Sequence, residues 1–329
     1  EILAAANYPS YDISTYYEDY SDILETDYNP LFNRSCEGLY AIGSTFKPAM
    51  ATAALQLGII KPKTTVTCNH VYTYYTDYQP TCLGNHGNLD VVHALGYSCN
   101  IFFFQCAKGL GIEKMNRYAS LLGLGQKTGI EIAETAGILA GIDYRDSIGQ
   151  GWKLGESLLA AIGQSDNSFS PLQLTNYCAT IANGGTRYAP YLVSKILSSD
   201  YTRELYRREP EVAVETNFSQ KTLDTIKEGM YLVANTTSCR RYLGNLKYKV
   251  ACKTGTAEKK RIINGRIVEG TDGFLIAFGP YEDPEIAITV AIENAGSGSS
   301  TAQVAADIFD YYFSTLNTVK NVQKENILL

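Results

Sequence analysis

Segments with the composition of β-strands lie at the two ends of this chain, and helical patterns fill the middle. Near the C-terminus, "DGFLIAFGP" and "EIAITVAIEN" flank the turn "PYEDPE", which is typical of a β-hairpin. The segment "KYKVACKTGTAE" and residues 1–8 also have the composition of strands. This order predicts an α+β fold, in which an antiparallel sheet is built from N- and C-terminal segments and a helical lobe is inserted between them. We expect one domain over 1–329, with a sheet lobe over about 1–43 and 186–318 and a helical lobe over about 44–185.

Charge and hydropathy exclude several classes of function. The chain has a net charge of −6 and no basic stripe, which argues against a nucleic-acid partner. No window approaches the roughly 18 uninterrupted apolar residues of a membrane span. The sequence starts at Glu1 rather than Met, so we expect a processed product or a fragment, with any membrane anchor or upstream domain missing from it.

The stretch "GSTFKP" places Ser44 and Lys47 at the start of a predicted helix. Residues three positions apart share one helix face, so the lysine amine can reach the serine hydroxyl. A desolvated lysine loses its proton readily and can activate a serine as a nucleophile. The alternative is a helix N-cap followed by a solvated lysine.

A second polar motif, "YSCN", precedes the apolar run "IFFF" and offers the hydroxyl of Ser98 and the amide of Asn100. The hydroxyl is suited to proton relay, although Ser or Asn before a helix is more often only a cap. The string Ser165-Asp166-Asn167 has a similar pattern but lies in a loop much further from Ser44. We therefore assign it to a separate motif.

The third motif is "KTGT", at Lys253, Thr254, Gly255 and Thr256 on a predicted strand. Glycine inside a strand marks a bulge or a close backbone approach. A lysine and two hydroxyls beside such a glycine suit a substrate carboxylate bound along the strand edge.

The order SxxK, SxN, KTG is the motif set of class A β-lactamases and penicillin-binding proteins. Over nearly its full length the chain resembles the transpeptidase domain of class B penicillin-binding proteins, through "ILAAANYPSYD", "HGNLDVVHALGYSCNIFF", "AIGQSDNSFSPLQLTNYCATIANGGTRYAP" and "KTGTAE". The form of these segments is most similar to elongation-type and sporulation enzymes of Gram-positive anaerobes. Two departures are Ser165, where the family has glycine, and Cys252 before the motif lysine.

The resemblance implies a β-lactamase/transpeptidase-like fold and D,D-transpeptidation through a Ser44 acyl-enzyme. It implies catalysis by Ser44, Lys47, Ser98, Asn100 and Lys253, with Asn100 holding the stem-peptide backbone. It also implies substrate binding by Thr254, Gly255 and Thr256, and an oxyanion hole of the backbone N–H groups of Ser44 and Thr256.

The same resemblance implies peptidoglycan stem peptides as substrates, β-lactam antibiotics as inhibitors and a membrane glycosyltransferase as partner. It places the domain at the extracytoplasmic face of the membrane, in cell-wall synthesis and cell shape, and requires no cofactor for the chemistry. The alternatives are a serine β-lactamase, a β-lactam sensor domain or a scaffolding domain without turnover. For a β-lactamase, the nearest candidate for the deacylating glutamate is Glu156.

Cysteine and histidine are concentrated in "TCNHVYTYYTDYQPTCLGNHG", a segment without clear periodicity. Three interpretations remain open: a structural Zn²⁺ site, a Cys68–Cys82 disulfide, or two free thiols beside a turn. The predicted zinc ligands are Cys68, Asp77, Cys82 and His86, with His70 as the substitute for Asp77. Cys99 is interpreted as a core residue, because it shares a helix with several phenylalanines.

Overall fold

A computed structural model gives the fold and describes residues 1–263 and 266–325, with the side chains of 154, 259–263, 266–268 and 316–325 left aside. Its main sheet has three antiparallel strands in the order β7–β8–β9. Strand β7 (Ala251–Ile263) pairs with β8 (Arg266–Gly279) along its whole length, and β8 pairs with β9 (Ile286–Ile292). The predicted hairpin is therefore β8–β9, joined by a turn over 280–285.

Six shorter strands form three two-stranded sheets, β1 with β2, β3 with β6 and β4 with β5. Their bounds are β1 (Val66–Cys68), β2 (Gly87–Leu89), β3 (Thr186–Tyr188), β4 (Lys195–Leu197), β5 (Glu204–Arg207) and β6 (Val212–Glu215). The helices over the described range are α1 (Tyr20–Glu25), α2 (Lys47–Gln56), α3 (Val91–Gly96), α4 (Asn100–Leu110), α5 (Ile112–Leu121), α6 (Ile142–Ser147), α7 (Leu154–Ala160), α8 (Pro171–Ala182), α9 (Gln220–Asn235), α10 (Arg240–Leu243) and α11 (Ala302–Glu325).

Helix α2 runs through the centre of the larger hydrophobic core. Its sequence "KPAMATAALQ" is rich in alanine, the residue with the highest helix propensity, and Pro48 occupies the first turn, where a missing N–H costs nothing. All its residues up to Ala54 are buried. The core against it is built from the phenylalanines of α4 and the apolar faces of α5, α8 and α9.

The N-terminal segment differs from its predicted role as a strand. Residues 1–8 form no strand in the described structure, and Ile2 is held by donating its N–H to the Tyr191 carbonyl at 3.0 Å. The segment and β9 both line a groove of about 1280 Å³. They share no hydrogen-bond ladder in the described structure, where β9 pairs only with β8.

Among the described helices, none combines the length and the apolar character that crossing a bilayer would require.

Candidate active site

Ser44 lies in a 3-10 turn, Gly43–Phe46, that leads directly into α2. Gly43 has a φ of 52°, a conformation that favours glycine, and its N–H donates to the Gly163 carbonyl at 3.0 Å. The ring of Phe46 stacks on Phe169, with centroids 5.8 Å apart. These contacts hold a half-buried serine at the N-terminal end of a core helix, where free N–H groups favour negative charge.

Lys47, the first residue of α2, is completely buried. Its Nζ donates to the Ser98 carbonyl at 2.7 Å, to Ser98 Oγ at 3.1 Å and to Asn100 Oδ1 at 2.7 Å. Burial, followed by the nearby charge of Lys253, holds the pKa of Lys47 well below its ordinary value. Lys47 is therefore the amine in this site most suited to accept a proton.

Ser98 stands between the two lysines. Its Oγ accepts from Lys47 Nζ and from Lys253 Nζ, each at 3.1 Å. Its φ of 56° is unusual for a residue with a side chain and marks the break between α3 and α4. This backbone conformation orients the Ser98 hydroxyl so that it accepts hydrogen bonds from both amines.

Lys253 reaches the site from β7. It is almost completely buried, and its Nζ also donates to the Thr254 carbonyl at 2.9 Å. Burial lowers the pKa of Lys253 to about 8, while the neighbouring Cys252 and Cys239 partly oppose that effect. Two buried amines thus share one hydroxyl, and Lys253 keeps its proton more readily than Lys47.

Gly255 allows β7 to pass against the segment that carries Ser44. A Cβ on Gly255 would lie 2.1 Å from the carbonyl oxygen of Ile42, and one on Gly43 would lie 2.4 Å from that of Thr256. The close approach predicted at Gly255 is therefore an approach to the chain's own backbone. Thr256 Oγ1 accepts from the Gly298 N–H at 2.8 Å, and the other edge of β7 carries no strand in the described sheet.

Asn100 is engaged at both ends of its amide. Its Oδ1 accepts from Lys47, and its Nδ2 donates to the Thr81 carbonyl at 3.2 Å. In this arrangement the amide positions Lys47 and the 69–86 loop, whereas the sequence interpretation had it hold the substrate.

The second serine-containing string is placed differently. Asn167 is 2% exposed, accepts from the Ala140 N–H at 3.0 Å and donates to the Ala160 carbonyl at 2.9 Å. Asp166 pairs with Arg145. These contacts give the motif a structural role in fixing the loop beneath Gly43.

Three of the predicted zinc ligands come together, and the fourth position changes. The ligand atoms of Cys68, Cys82, His86 and Cys99 all lie within 4.8 Å of one another. Asp77 is exposed and accepts from the Thr76 hydroxyl at 2.8 Å, so it lies outside the cluster. Cys99 replaces it because the cap of α4 folds onto the loop, a tertiary contact that a local reading of the Cys/His segment could not include. All eight cysteines are free, which leaves no Cys68–Cys82 disulfide in this structure.

The Cys/His cluster, defined as Cys68, Cys82, His86 and Cys99, contacts the candidate active site directly. Cys99 lies between Ser98 and Asn100, and the backbone N–H of Asn100 donates to Cys82 Sγ at 3.2 Å. The hydrogen bond from Cys99, assisted by backbone N–H groups, lowers the pKa of Cys82. Sequence reasoning missed this link, although the SxN motif itself contains the fourth ligand.

Comparison with known proteins agrees with this geometry. The family profile described as "Penicillin binding protein transpeptidase domain" matches residues 1–310. The chain is 30% identical to the "Peptidoglycan D,D-transpeptidase MrdA" of Acinetobacter baumannii, over 96% of this chain and 49% of that protein, so it spans about half the length of this relative.

Two solved structures are similar to this chain. The complex between penicillin-binding protein PBP2 and MreC from Helicobacter pylori has a TM-score of 0.83 and 25% identity, over 96% of this chain and 58% of that one. A structure titled "Structural coordination of polymerization and crosslinking by a peptidoglycan synthase complex" has a TM-score of 0.78 and 29% identity, over 92% and 52%. These similarities confirm the predicted β-lactamase/transpeptidase-like α+β fold.

Proposed function

The chain belongs to the penicillin-binding protein transpeptidase family, and from that premise we propose that it is a peptidoglycan D,D-transpeptidase acting through Ser44. The observation that carries the proposal is the pair of buried lysines, Lys47 and Lys253, that share the hydroxyl of Ser98 beside the Ser44 helix. The same chemistry makes the domain a target of β-lactam antibiotics.

In this proposal Ser44 attacks the carbonyl between two terminal D-alanines of a stem peptide. Lys47 takes the serine proton, because burial lowers the pKa of its amine and so favours the form that can accept a proton. Lys253 and Ser98 then deliver a proton to the departing D-alanine. The negative charge on the carbonyl oxygen is stabilised by the backbone N–H groups of Ser44 and Thr256, each worth about 3 kcal/mol.

The substrate lies along the free edge of β7 as an added strand, with Thr254 and Thr256 at its terminal carboxylate. Gly255 keeps that edge close to Ser44. A side-chain amine of a second stem peptide then resolves the acyl-enzyme and forms the cross-link.

A β-lactamase activity is less well supported. From the sequence, Glu156 is the candidate for the deacylating glutamate. Its carboxylate is 3.4 Å from the guanidinium of Arg145. The ion pair engages the carboxylate that a β-lactamase would need to hold its deacylating water.

Intact-protein mass spectrometry after incubation with benzylpenicillin tests the proposed function. We expect a stable adduct on the unchanged chain, none on Ser44→Ala, and an adduct on Ser165→Ala, the matched control in the second serine-containing string. Hydrolysis of the drug without a stable adduct would indicate a β-lactamase. An intact drug without any adduct would indicate a scaffolding domain.

The wider setting is proposed from the relatives. We place the domain at the extracytoplasmic face of the membrane, as one transpeptidase unit of a longer anchored protein with a pedestal domain. The MreC complex of one similar structure and the synthase complex of another support partners in cell-wall elongation, including a membrane glycosyltransferase. An elongation role and a sporulation role differ in when the gene is expressed, which transcript measurements would resolve.

The Cys/His cluster is proposed to hold a structural Zn²⁺. Three thiols and one imidazole within 4.8 Å are the donor set that tetrahedral zinc prefers. Bound zinc would supply structural cross-linking only, because the serine and the lysines perform the chemistry. By fixing Cys82 and Cys99, the site would hold the loop and the segment that carries Ser98 and Asn100.

Elemental analysis and a chelator test the zinc proposal. We expect about one zinc ion per purified chain, and a roughly tenfold slower penicillin acylation after chelation, because the segment that carries Ser98 and Asn100 is no longer held in place. A Cys106→Ala chain, which changes a buried cysteine of α4 outside the cluster, is expected to keep both its zinc and its rate. Zinc-free protein with unchanged acylation in chelator would contradict the proposal.

A further inference from the structure

The Cys/His cluster holds three sulfur atoms within 4.8 Å of one another. Cys82 and Cys99 are 3% and 1% exposed, and their Sγ atoms are 3.9 Å apart. Cys82 ends the 69–82 loop, and Cys99 is the cap residue of α4. The pair therefore joins a loop to a helix start, and neither sulfur bonds covalently to another.

The same pair borders the residues that surround Lys47. Cys99 is covalently between Ser98 and Asn100, and Cys82 accepts the N–H of Asn100 at 3.2 Å. Thr81, next to Cys82, accepts from the Asn100 amide at 3.2 Å. A disulfide between these sulfurs would therefore form directly beside Ser98 and Asn100, and would change the contact that Cys82 makes with Asn100.

We propose that Cys82 and Cys99 form an oxidisable dithiol, and that its disulfide is a modification that disables the candidate active site. The oxidant is a small organic disulfide. The Cys82 thiolate attacks one sulfur of the oxidant and releases its other half as a thiol. The Cys99 thiolate then attacks the Cys82 sulfur of the mixed disulfide and releases the second thiol. Two electrons pass to the oxidant, and the two released thiols carry the two cysteine protons.

The disulfide changes the geometry of the site. An S–S bond is about 2.05 Å long, so the sulfurs must approach by nearly 2 Å from their present 3.9 Å. Ser98 holds both lysines at 3.1 Å, and a misplacement of about 1 Å costs about a hundredfold in rate. This consequence rests on the proposed function, whereas the formation of the disulfide does not.

The experiment treats the metal-free full chain with oxidised glutathione and maps disulfides by peptide mass spectrometry, with benzylpenicillin acylation measured on the same samples. We expect a Cys82–Cys99 bond, at least a tenfold fall in acylation, and recovery of the rate in dithiothreitol. Zinc-loaded protein is expected to resist oxidation, because its thiolates are coordinated.

Two variants control the experiment, each compared with its own reduced sample. In Cys99→Ala the ratio of oxidised to reduced acylation rates stays near one, whereas in Cys106→Ala it falls as in the unchanged chain. If Cys99→Ala does not fold, the peptide map of the unchanged chain still shows whether the Cys82–Cys99 disulfide forms.

A bond at Cys68–Cys82 or Cys239–Cys252, or only single glutathione adducts, would overturn the proposal. An unaltered rate with the Cys82–Cys99 bond present would overturn its disabling effect. A reduced chain that is never acylated would refute the proposed function instead, while the map would still report on the disulfide.

Discussion

At the scale of single residues, the site depends on two buried lysines that cannot both carry a charge at low cost. Each amine donates to Ser98 Oγ at 3.1 Å, in a region without a carboxylate bonded to either amine in the described structure. Two like charges in a poorly solvated site repel, so one of them loses its proton. Lys47 is more strongly affected, because the charge of Lys253 adds to its burial, and the pair therefore separates into a base and a proton donor.

The rate of acylation is expected to fall as the pH rises through about 8, because Lys253 then loses the proton that it delivers through Ser98. The measurement is the second-order rate constant of penicillin acylation from pH 6 to 10. In Lys253→Arg the guanidinium stays charged over this range, so the alkaline fall should disappear, although the rate itself is lower.

Unfolding does not account for that fall. The pKa of Lys253 is lowered in the folded chain from 10.5 to about 8, so the unfolded chain binds more protons between these values. The contribution of Lys253 to stability therefore rises with pH across this window. An alkaline fall that persists unchanged in Lys253→Arg would assign the titration to another nearby group, such as Cys239 or Cys252.

At the scale of elements, local pattern predicted most of the fold, and its failures have physical causes. The β8–β9 hairpin follows from its turn residues, and helix α2 follows from its alanine-rich composition. Residues 1–8 have a strand composition but form no ladder in the described structure, because pairing is a property of two segments and not of one. The break at Ser98 depends on a left-handed backbone conformation, which no local propensity predicts for serine.

Gly255→Ala is expected to disrupt the contact between β7 and the Ser44 turn. The added methyl would lie 2.1 Å from the Ile42 carbonyl oxygen, and backbone atoms cannot yield as a flexible side chain does. We expect a loss of about 2 kcal/mol in the free energy of unfolding and at least about tenfold in acylation. Denaturant unfolding and penicillin acylation measure the two effects.

Gly151→Ala is the matched control, because a Cβ there meets nothing within 4 Å. Its free energy of unfolding should stay within about 0.5 kcal/mol of the unchanged chain. Equal behaviour of the two variants would show that the close approach at Gly255 has no energetic consequence.

At the scale of the whole molecule, the site is assembled from segments far apart in the sequence. Ser44 and Lys47 come from the start of α2, Ser98 from the α3–α4 junction and Lys253 from β7. The motifs predicted this set because each has a fixed internal spacing. The fourth member of the Cys/His cluster was missed, because Cys99 joins it only through the packing of α4 on the loop.

The outer edge of β9 gives the last prediction. Its sequence "IAITVAI" has no charge and no proline, and in the described sheet β9 pairs only with β8, on the wall of a groove of about 1280 Å³. Charged residues and proline protect an edge strand, and an apolar edge strand that lacks both tends to pair with the edges of other chains. We therefore expect these 329 residues alone to self-associate with increasing concentration in analytical ultracentrifugation.

Ala291→Lys places a charge at an exposed position of β9 and should shift that self-association to higher protein concentration. Asp283→Asn, in the exposed turn before β9, is the matched control and should leave it unchanged, because it makes the same change in net charge away from the edge. If both variants shift the association equally, net charge rather than the β9 edge governs it. A chain that stays monomeric at every concentration would contradict the prediction.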